Sequence, residues 1–287
     1  MHGPVAIGGV GGSGTRIVAE IIKQLGFYIG SDLNSANDNL WFTLLLKRPH
    51  WFLKNKDNPE EIFQYLDVFE RIMKGENLSS RDYLLIIKAA FDISLHGHNV
   101  SGTGRGLWPF KRIFTILTNK SYDMASFKGY GWKEPNTHIL LPYLEKHFKS
   151  MSYIHVIRNG LDMAFSSNQN QLFNWGQVYG ITPDGAQPLP KLSLEFWIRA
   201  NKEAVNYGRE ILRDRFFLVN FDNLCLNPEI EIKRIINFLG ISENVNMDRL
   251  VSLPRVPESM GRYKKHDLSI FSKEQIRAVE EFGFKIL

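Results

Sequence analysis

The sequence predicts an α/β protein built on a doubly wound, mostly parallel sheet with a helical insertion. Short apolar runs of the kind found in buried strands alternate with segments whose apolar residues recur at helical spacing. A strand near residues 4–8 leads through a glycine-rich turn into a helix near 14–25, in which Ile17, Ile21 and Ile22 share a face. With 287 residues and 44% apolar content, the chain can bury a large core as a single domain over 1–287.

The middle of the chain interrupts the α/β pattern. From about 40 to 125 the sequence is mainly helical, with one helix beginning at Pro59 and another capped by Ser79. A short strand is expected near 130–133, followed by a helix near 136–147. Residues 40–125 are therefore predicted to be an insertion between strands.

The second half returns to alternating strands and helices. Residues 152–157 form the clearest buried strand, and Asn159 can cap the helix that follows. A helix near 193–213, a strand at 216–220 and a helix near 228–239 complete the pattern. Between them, residues 170–192 contain six Gly and Pro residues, among them Gly176, Gly180, Pro183, Gly185 and Pro188, and predict a long mobile loop of the kind that covers binding sites.

The glycine-rich turn between the first strand and helix is suited to binding phosphate. Glycines let the backbone turn sharply, so N–H groups at the helix N-terminus can point at one anion. A nucleotide triphosphate loop is disfavoured, because Thr15 and Arg16 occupy its Lys and Ser/Thr positions. A loop holding the 5′ phosphate and sulfate of a phosphorylated adenylyl sulfate instead needs backbone N–H groups and hydroxyls such as those of Ser13 and Thr15, without a metal.

A dinucleotide fingerprint is a serious alternative. Gly9, Gly11 and Gly14 match G-x-G-x-x-G, and Asp32 follows 18 residues later, where a ribose-binding carboxylate is expected. Against it, residues 26–31 form a poor second strand because glycines interrupt the apolar residues. An NAD(P)-linked oxidoreductase therefore stays an alternative at this stage.

A second anion site is expected at the end of the strand 152–157. Arg158 follows that strand, at the sheet edge where doubly wound folds bind ligands, and Ser166 is expected two turns along the next helix on the same face. Together the two side chains could clamp another phosphate. Taken alone, an arginine in a surface ion pair and an exposed helical serine would fit equally well.

The ordered set of motifs resembles the sulfotransferases that use 3′-phosphoadenosine 5′-phosphosulfate (PAPS). Ser13-Gly14-Thr15 matches the family's 5′ motif, R-N-x-x-D-x-x-x-S matches residues 158–166, and residues 221–224 and 261–265 resemble two later motifs. The resemblance implies PAPS as donor, adenosine 3′,5′-bisphosphate as product and no metal. It implies these donor-binding residues: Gly11, Gly12, Ser13, Gly14, Thr15, Arg16, Arg158, Ser166, Gly261, Arg262, Tyr263 and Lys264.

The catalytic residues follow less directly from the resemblance. Lys133 matches a family lysine that meets the leaving oxygen, but Pro135 stands where cytosolic relatives carry their basic histidine. Asp38 has the spacing of the carboxylate base of Golgi-type relatives, and Glu134 is the second candidate. Gly12 stands where many relatives carry a loop Lys or Arg, so some of that charge must come from elsewhere, and Arg16 or Lys133 could supply it. His98 and His138 are further possible bases.

Composition restricts the class of protein and its partners. A net charge of +5 without a dense basic block gives no indication of nucleic-acid binding, and the single Cys225 excludes an internal disulfide framework. No signal-like or membrane-spanning run is evident, which predicts a cytoplasmic protein.

The acceptor is expected to be a small molecule or carbohydrate, and oligomeric state stays open. A non-catalytic nucleotide-binding protein is the remaining alternative. Aromatic residues that could line an acceptor site are Trp41, Phe42, Trp51, Phe52, Trp108, Phe110 and Trp175.

Overall fold

A computed structural model describes residues 2–99, 101–119, 124–242 and 245–286. Its centre is a sheet of five strands: β1 (His2–Gly8), β2 (Phe27–Tyr28), β3 (Gly129–Lys133), β4 (Ser152–Ile157) and β5 (Phe216–Asn220). The strands pair in parallel in the order β2-β3-β1-β4-β5. The predicted mostly parallel sheet is confirmed.

Helices surround the sheet and fill the interval between β2 and β3. The first five after α1 run from residue 40 to residue 117, within the predicted insertion. The helices are α1 (Thr15–Gln24), α2 (Leu40–Leu46), α3 (Pro49–Asn55), α4 (Pro59–Lys74), α5 (Ser80–His96), α6 (Trp108–Leu117), α7 (Leu141–His147), α8 (Gly160–Ala164), α9 (Asn170–Trp175), α10 (Leu189–Tyr207), α11 (Phe221–Leu226), α12 (Pro228–Phe238), α13 (Met247–Val251) and α14 (Lys273–Glu281).

Both faces of the sheet are buried, as a doubly wound fold requires. Along β4, Ile154 and Val156 pack into the cluster formed with α1, α11 and α12, whereas Tyr153 and Ile157 face the larger cluster on the other side. This period of two follows from the alternation of side chains along a strand. In the described part of the chain, no helix combines the length and apolarity needed to cross a bilayer.

Side chains that cap the helix N-terminus determine where several helices begin. The Ser79 hydroxyl accepts from the backbone N–H of Asp82 while the Asp82 carboxylate accepts from that of Ser79, a reciprocal cap at the start of α5. Asn159 caps α8 by accepting from the backbone N–H of Leu161 at 2.9 Å. These two caps agree with the sequence-based predictions.

Residues 170–192 differ from the predicted loop. Their first part forms α9 and a short 3₁₀ turn, Gly176–Tyr179, and only 180–188 is irregular. Leu172, Trp175 and Tyr179 are buried in the core, so their tertiary packing outweighs the turn-forming tendency of the neighbouring glycines. Gly176 itself has helical backbone angles.

Candidate active site

The site lies where β3, β1 and β4 end side by side. Ile7 of β1 is opposite Lys133 of β3, and Gly8 of β1 is opposite His155 of β4. The glycine-rich turn after β1 is therefore flanked by Lys133 on one side and by Arg158, which follows β4, on the other. The chain reverses its direction of winding between β1 and β4, the position at which open parallel sheets bind ligands.

The turn requires glycine at two positions and leaves its first-turn amides uncapped. Gly14 has φ +92°, and a Cβ there would lie 2.0 Å from the Phe221 ring. Gly9 would place a Cβ 2.3 Å from the carbonyl oxygen of Val156. Gly14 is the N-cap of α1 and no side chain caps that end. The buried Ser13 hydroxyl has no hydrogen-bond partner among the residues that the structure describes. An anion is the natural partner for such groups.

Lys133 and Asp38 are in direct contact in what we call the outer cavity. This cavity has a volume of about 480 Å³ and is lined by the glycine-rich turn, Lys133, Asp38 and Lys47, among others. The buried Lys133 ammonium donates to Asp38 Oδ1 and, at 3.1 Å, to the carbonyl of Ala36. Asn34 Nδ2 donates to the other Asp38 oxygen at 2.8 Å. Two of the predicted catalytic residues therefore meet although they are 95 positions apart.

The Glu134 carboxylate is buried and is held by two hydrogen bonds and an ion pair. Its side chain accepts from the backbone N–H of Asn136 at 2.7 Å and from Asn136 Nδ2 at 3.0 Å, and it pairs with Lys47 Nζ at 3.0 Å. Glu134 is 0% exposed. Lys47, which directly follows α2, brings a charge from the insertion into the outer cavity. No motif pointed to Lys47, because only the tertiary fold joins α2 to the end of β3.

Arg158 lies in a second, smaller space that we call the inner cavity, of about 170 Å³. Its Nη2 donates to Ser259 Oγ at 2.7 Å, and its Nη1 lies 3.5 Å from the Gly12 carbonyl. Among the described residues, its buried Nε has no hydrogen-bond partner. Burial lowers the pKa of Arg158, while Asp162 and Asp222 oppose this effect. The guanidinium retains donors for an additional acceptor.

Ser166 lines the inner cavity, but not from the predicted helical position. Helix α8 ends at Ala164, so Ser166 lies beyond it rather than two turns along it. The hydroxyl accepts from the backbone N–H of Asn168 at 3.2 Å, which stabilises a turn. The helix is short because the chain turns here to bring α9 onto the core.

Asp162 holds the C-terminal segment against the inner cavity. Its carboxylate accepts from the backbone N–H of Gly261 at 2.8 Å and that of Tyr263 at 3.1 Å. Arg262 lines the cavity, whereas the Tyr263 side chain is buried and Lys264 is exposed. The sequence motif contained Asp162, but its role as the anchor of residues 261–263 became evident only from the fold.

Asp222 belongs to the motif at 221–224, and the structure brings its carboxyl group within electrostatic reach of Arg158. Burial, reinforced by the charge of Asp162, raises the pKa of Asp222 to about 6, although Arg158 acts in the opposite direction. Its buried Oδ1 atom has no hydrogen-bond partner in the described part of the chain. The occupancy of a neighbouring anion site is therefore expected to depend on pH near 6.

The two cavities are adjoining parts of one cleft. Gly11, Gly12 and Arg158 line both, as do Asn168 and Gln171. Polar atoms without protein partners are found in the residues around this cleft: Ser13 Oγ, Arg158 Nε, Gln171 Oε1 and Trp197 Nε1. These groups fit an anionic ligand that also carries a polar heterocycle or sugar. No cluster of His, Cys, Asp and Glu suited to a metal ion is found among the described residues.

Neither His98 nor His138, the two histidines suggested as bases, lines either cavity. His138 is buried with its Nδ1 2.9 Å from the Pro135 carbonyl, and burial lowers its pKa to about 3. His98 packs on Trp108 with ring centroids 4.9 Å apart, and burial, assisted by Lys47, lowers its pKa to about 4. Both imidazoles are neutral at pH 7.

The groups expected for a dinucleotide site are not brought together. Asp32 accepts from Thr115 Oγ1 at 2.5 Å and pairs with Arg112 Nε at 3.1 Å. In addition, β3 separates β2 from β1, so Asp32, which follows β2, is not placed beside the glycine-rich turn as the ribose-binding carboxylate of a dinucleotide fold is. The structure therefore disfavours the NAD(P) interpretation.

The fold and the cleft define an α/β protein with a phosphate-binding turn and a second cationic pocket at its sheet edge. A sequence model described as the sulfotransferase family matches residues 4–244. The chain therefore belongs to the sulfotransferase family, whose enzymes transfer sulfuryl groups.

Solved sulfotransferase structures resemble the fold at low sequence identity. The sulfotransferase domain from the curacin biosynthetic pathway is 10% identical, with a TM-score of 0.50, covering 100% of this chain and 99% of that one. The domain from the Synechococcus PCC 7002 olefin synthase is 15% identical, with a TM-score of 0.47 and coverages of 100% and 96%. Sulfotransferase STF1 from Mycobacterium tuberculosis H37Rv is 11% identical, with a TM-score of 0.49 and coverages of 98% and 77%. No curated protein sequence matches the chain.

Proposed function

We propose that the protein transfers the sulfuryl group of PAPS to an acceptor hydroxyl or amine. The observation that carries the proposal is the continuity of the cleft. Gly14 and Thr15 of the uncapped turn line the outer cavity, Arg158 lines both cavities, and the Lys133–Asp38 pair lies at the outer end. One extended ligand with an anionic group near each end would satisfy both sites.

The described residues suggest an orientation for the donor. The amides at the start of α1 and the hydroxyls of Ser13 and Thr15 would hold its 5′ phosphosulfate. Arg158, Ser166 and Arg262 would hold the 3′ phosphate from the inner cavity. Asp162 acts indirectly, because its two backbone hydrogen bonds position the segment that carries Arg262.

The chemistry needs a cation near the leaving oxygen and a base near the acceptor. When bound, PAPS supplies the sulfuryl group: its bond from sulfur to the bridging oxygen breaks as the acceptor oxygen bonds to sulfur. Lys133 provides fixed positive charge for the growing negative charge at the 5′ end. Asp38 takes the acceptor proton, and its contact with Lys133 and Asn34 fixes its orientation.

Lys47 is proposed to replace the loop cation that Gly12 lacks. It lines the outer cavity together with Gly12 and Lys133, and the ion pair with Glu134 holds its ammonium in place. On this account Glu134 is a positioning residue rather than the base, since its buried carboxylate already has two hydrogen bonds and a cation. Arg16 is exposed on the same wall and adds longer-range charge.

The acceptor is proposed to be a small polar molecule or a carbohydrate. Amide side chains from Asn99, Asn168, Asn170 and Gln171 line the outer cavity and can hydrogen-bond to hydroxyl groups. Five of the seven aromatic residues suggested for an acceptor wall are buried in the core, and Trp108 and Phe110 are partly buried against it. The buried five are Trp41, Phe42, Trp51, Phe52 and Trp175.

Ligand-induced stabilisation tests the proposal. The melting temperature is measured with adenosine 3′,5′-bisphosphate, ATP or NADH, and transfer of labelled sulfate from PAPS to a panel of hydroxylated acceptors is measured in parallel. A ligand at 100 times its Kd adds about 2.7 kcal/mol of stability. We expect the bisphosphate to stabilise most. Stabilisation by NADH alone would favour an oxidoreductase, and bisphosphate binding without transfer to any acceptor would favour a non-catalytic nucleotide-binding protein.

A further inference from the structure

Helices α5 and α6 and the residue before α6 expose a strip of large apolar side chains. Among the described residues, 14 large hydrophobic side chains are exposed and eight belong to this region. Their exposure ranges from 37% for Tyr83 to 75% for Leu107. Contiguous apolar patches of this kind mark interaction sites. The eight residues are Tyr83, Leu84, Ile87, Phe91, Leu95, Leu107, Phe114 and Leu117.

Three observations show that the two helices carry one strip rather than two. Near one end, Ser94 Oγ donates to the Gly106 carbonyl at 3.0 Å. Further along, the Phe91 and Phe110 rings pack edge to face with centroids 5.7 Å apart. At the other end, Tyr83 and Leu117 line the same surface depression. The helices are therefore antiparallel neighbours, and their exposed apolar residues adjoin along their length.

The charges on the strip are basic. Exposed Lys88 lies four residues after Leu84 and three before Phe91, and exposed Lys111 has the corresponding position between Leu107 and Phe114. Arg81 and Arg105 are exposed near the ends of the strip. The carboxylates of α5 are paired elsewhere, Asp82 with Arg71 at 2.7 Å and Asp92 with Arg48 at 3.4 Å. Glu76 is exposed at the Tyr83 end.

We propose that this strip docks the protein onto the surface of an anionic lipid bilayer. Large apolar side chains interspersed with lysines suit the boundary between acyl chains and negative headgroups. A second copy of the chain is a poorer occupant, because a two-fold contact would oppose Lys88 and Lys111 to the same charges on the partner. The turn between α5 and α6 contains Asn99, which lines the outer cavity, so docking would bring the cleft near the bilayer.

Vesicle co-sedimentation tests the proposal without any donor or acceptor, so its result is independent of sulfuryl transfer. The full chain is mixed with vesicles of phosphatidylcholine alone or of equal parts phosphatidylcholine and phosphatidylglycerol, at low and high salt. We expect binding to the anionic vesicles at low salt. Leu84→Ser with Phe91→Ser should weaken it at least about tenfold. Lys88→Gln with Lys111→Gln should weaken it roughly 25-fold, about fivefold for each charge.

Matched variants control for surface hydrophobicity and net charge. Leu226→Ser with Ile230→Ser removes two exposed apolar side chains from α11 and α12, and Lys54→Gln with Lys273→Gln removes two exposed charges elsewhere. Both double variants should bind the anionic vesicles with an affinity within about twofold of that of the wild type. The proposal is overturned if the wild type ignores anionic vesicles, if the strip variants bind as well as the controls, or if light scattering finds a wild-type dimer that Leu84→Ser with Phe91→Ser converts to a monomer.

Discussion

Substitution of Arg158 by alanine should remove the preference for a 3′ phosphate. The guanidinium has one firm protein hydrogen bond, to Ser259, while Nε is unpaired and Nη1 is only weakly engaged. At least two donors are thus available for an anion in a half-buried cleft. Charge-assisted hydrogen bonds contribute about 1.5–3 kcal/mol each in net terms. For the pair, which also competes with water, we expect a loss of about 2–3 kcal/mol, or about 30- to 150-fold in Kd.

Calorimetric titration with two ligands isolates this effect. The Kd values of adenosine 3′,5′-bisphosphate and adenosine 5′-monophosphate are measured for the wild type, Arg158→Ala and Arg16→Ala. Arg158→Ala should weaken only the bisphosphate. Arg16→Ala, on the wall of the outer cavity, should weaken both ligands by the same small factor. The melting temperature of each variant confirms folding. If Arg158→Ala retains the wild-type ratio of the two Kd values, the assignment of the 3′ phosphate to Arg158 is wrong.

Three further variants test the rest of the cleft. Asp38→Asn should lower kcat by about 10²–10⁴-fold in a labelled-sulfate assay with little change in donor Kd; an unchanged kcat would exclude Asp38 as the base. Lys47→Met, combined with Glu134→Gln so that no buried carboxylate is left unpaired, should lower kcat/KM for PAPS by about 10- to 100-fold, and an unaltered value would remove Lys47 from the mechanism. Because the pKa of Asp222 is raised to about 6, this carboxyl is largely neutral below pH 6 and negative above it. We therefore expect the affinity of Asp222→Asn for the bisphosphate, divided by that of the wild type, to rise between pH 5 and pH 7.5 in calorimetric titrations. Ionisation of the ligand affects both proteins equally and cancels in this ratio; a ratio that does not change with pH would contradict the prediction.

The parts of the fold set by short stretches of sequence were predictable. Buried strands, the glycine-rich turn and the caps at Ser79 and Asn159 depend on residues within a few positions of one another. The family resemblance also came from ordered local motifs. These features determine the carboxyl edge of the sheet, where the site lies.

Contacts between distant residues accounted for what was missed. Asp162 binds a backbone N–H 99 positions later, and Lys47 meets Glu134 only because the insertion folds over the end of β3. The helix at 170–175 forms because Leu172 and Trp175 are buried, which the neighbouring Gly and Pro residues concealed. The position of Ser166 was wrong for the same reason, since the length of α8 depends on tertiary packing.

A crystal structure with adenosine 3′,5′-bisphosphate tests the central claim most directly. We predict the 5′ phosphate against the amides of residues 13–15 and the 3′ phosphate within hydrogen-bonding distance of the Arg158 guanidinium, with the nucleoside bridging the inner and outer cavities. A ligand that leaves either anion site empty, or that binds outside this cleft, would contradict the account.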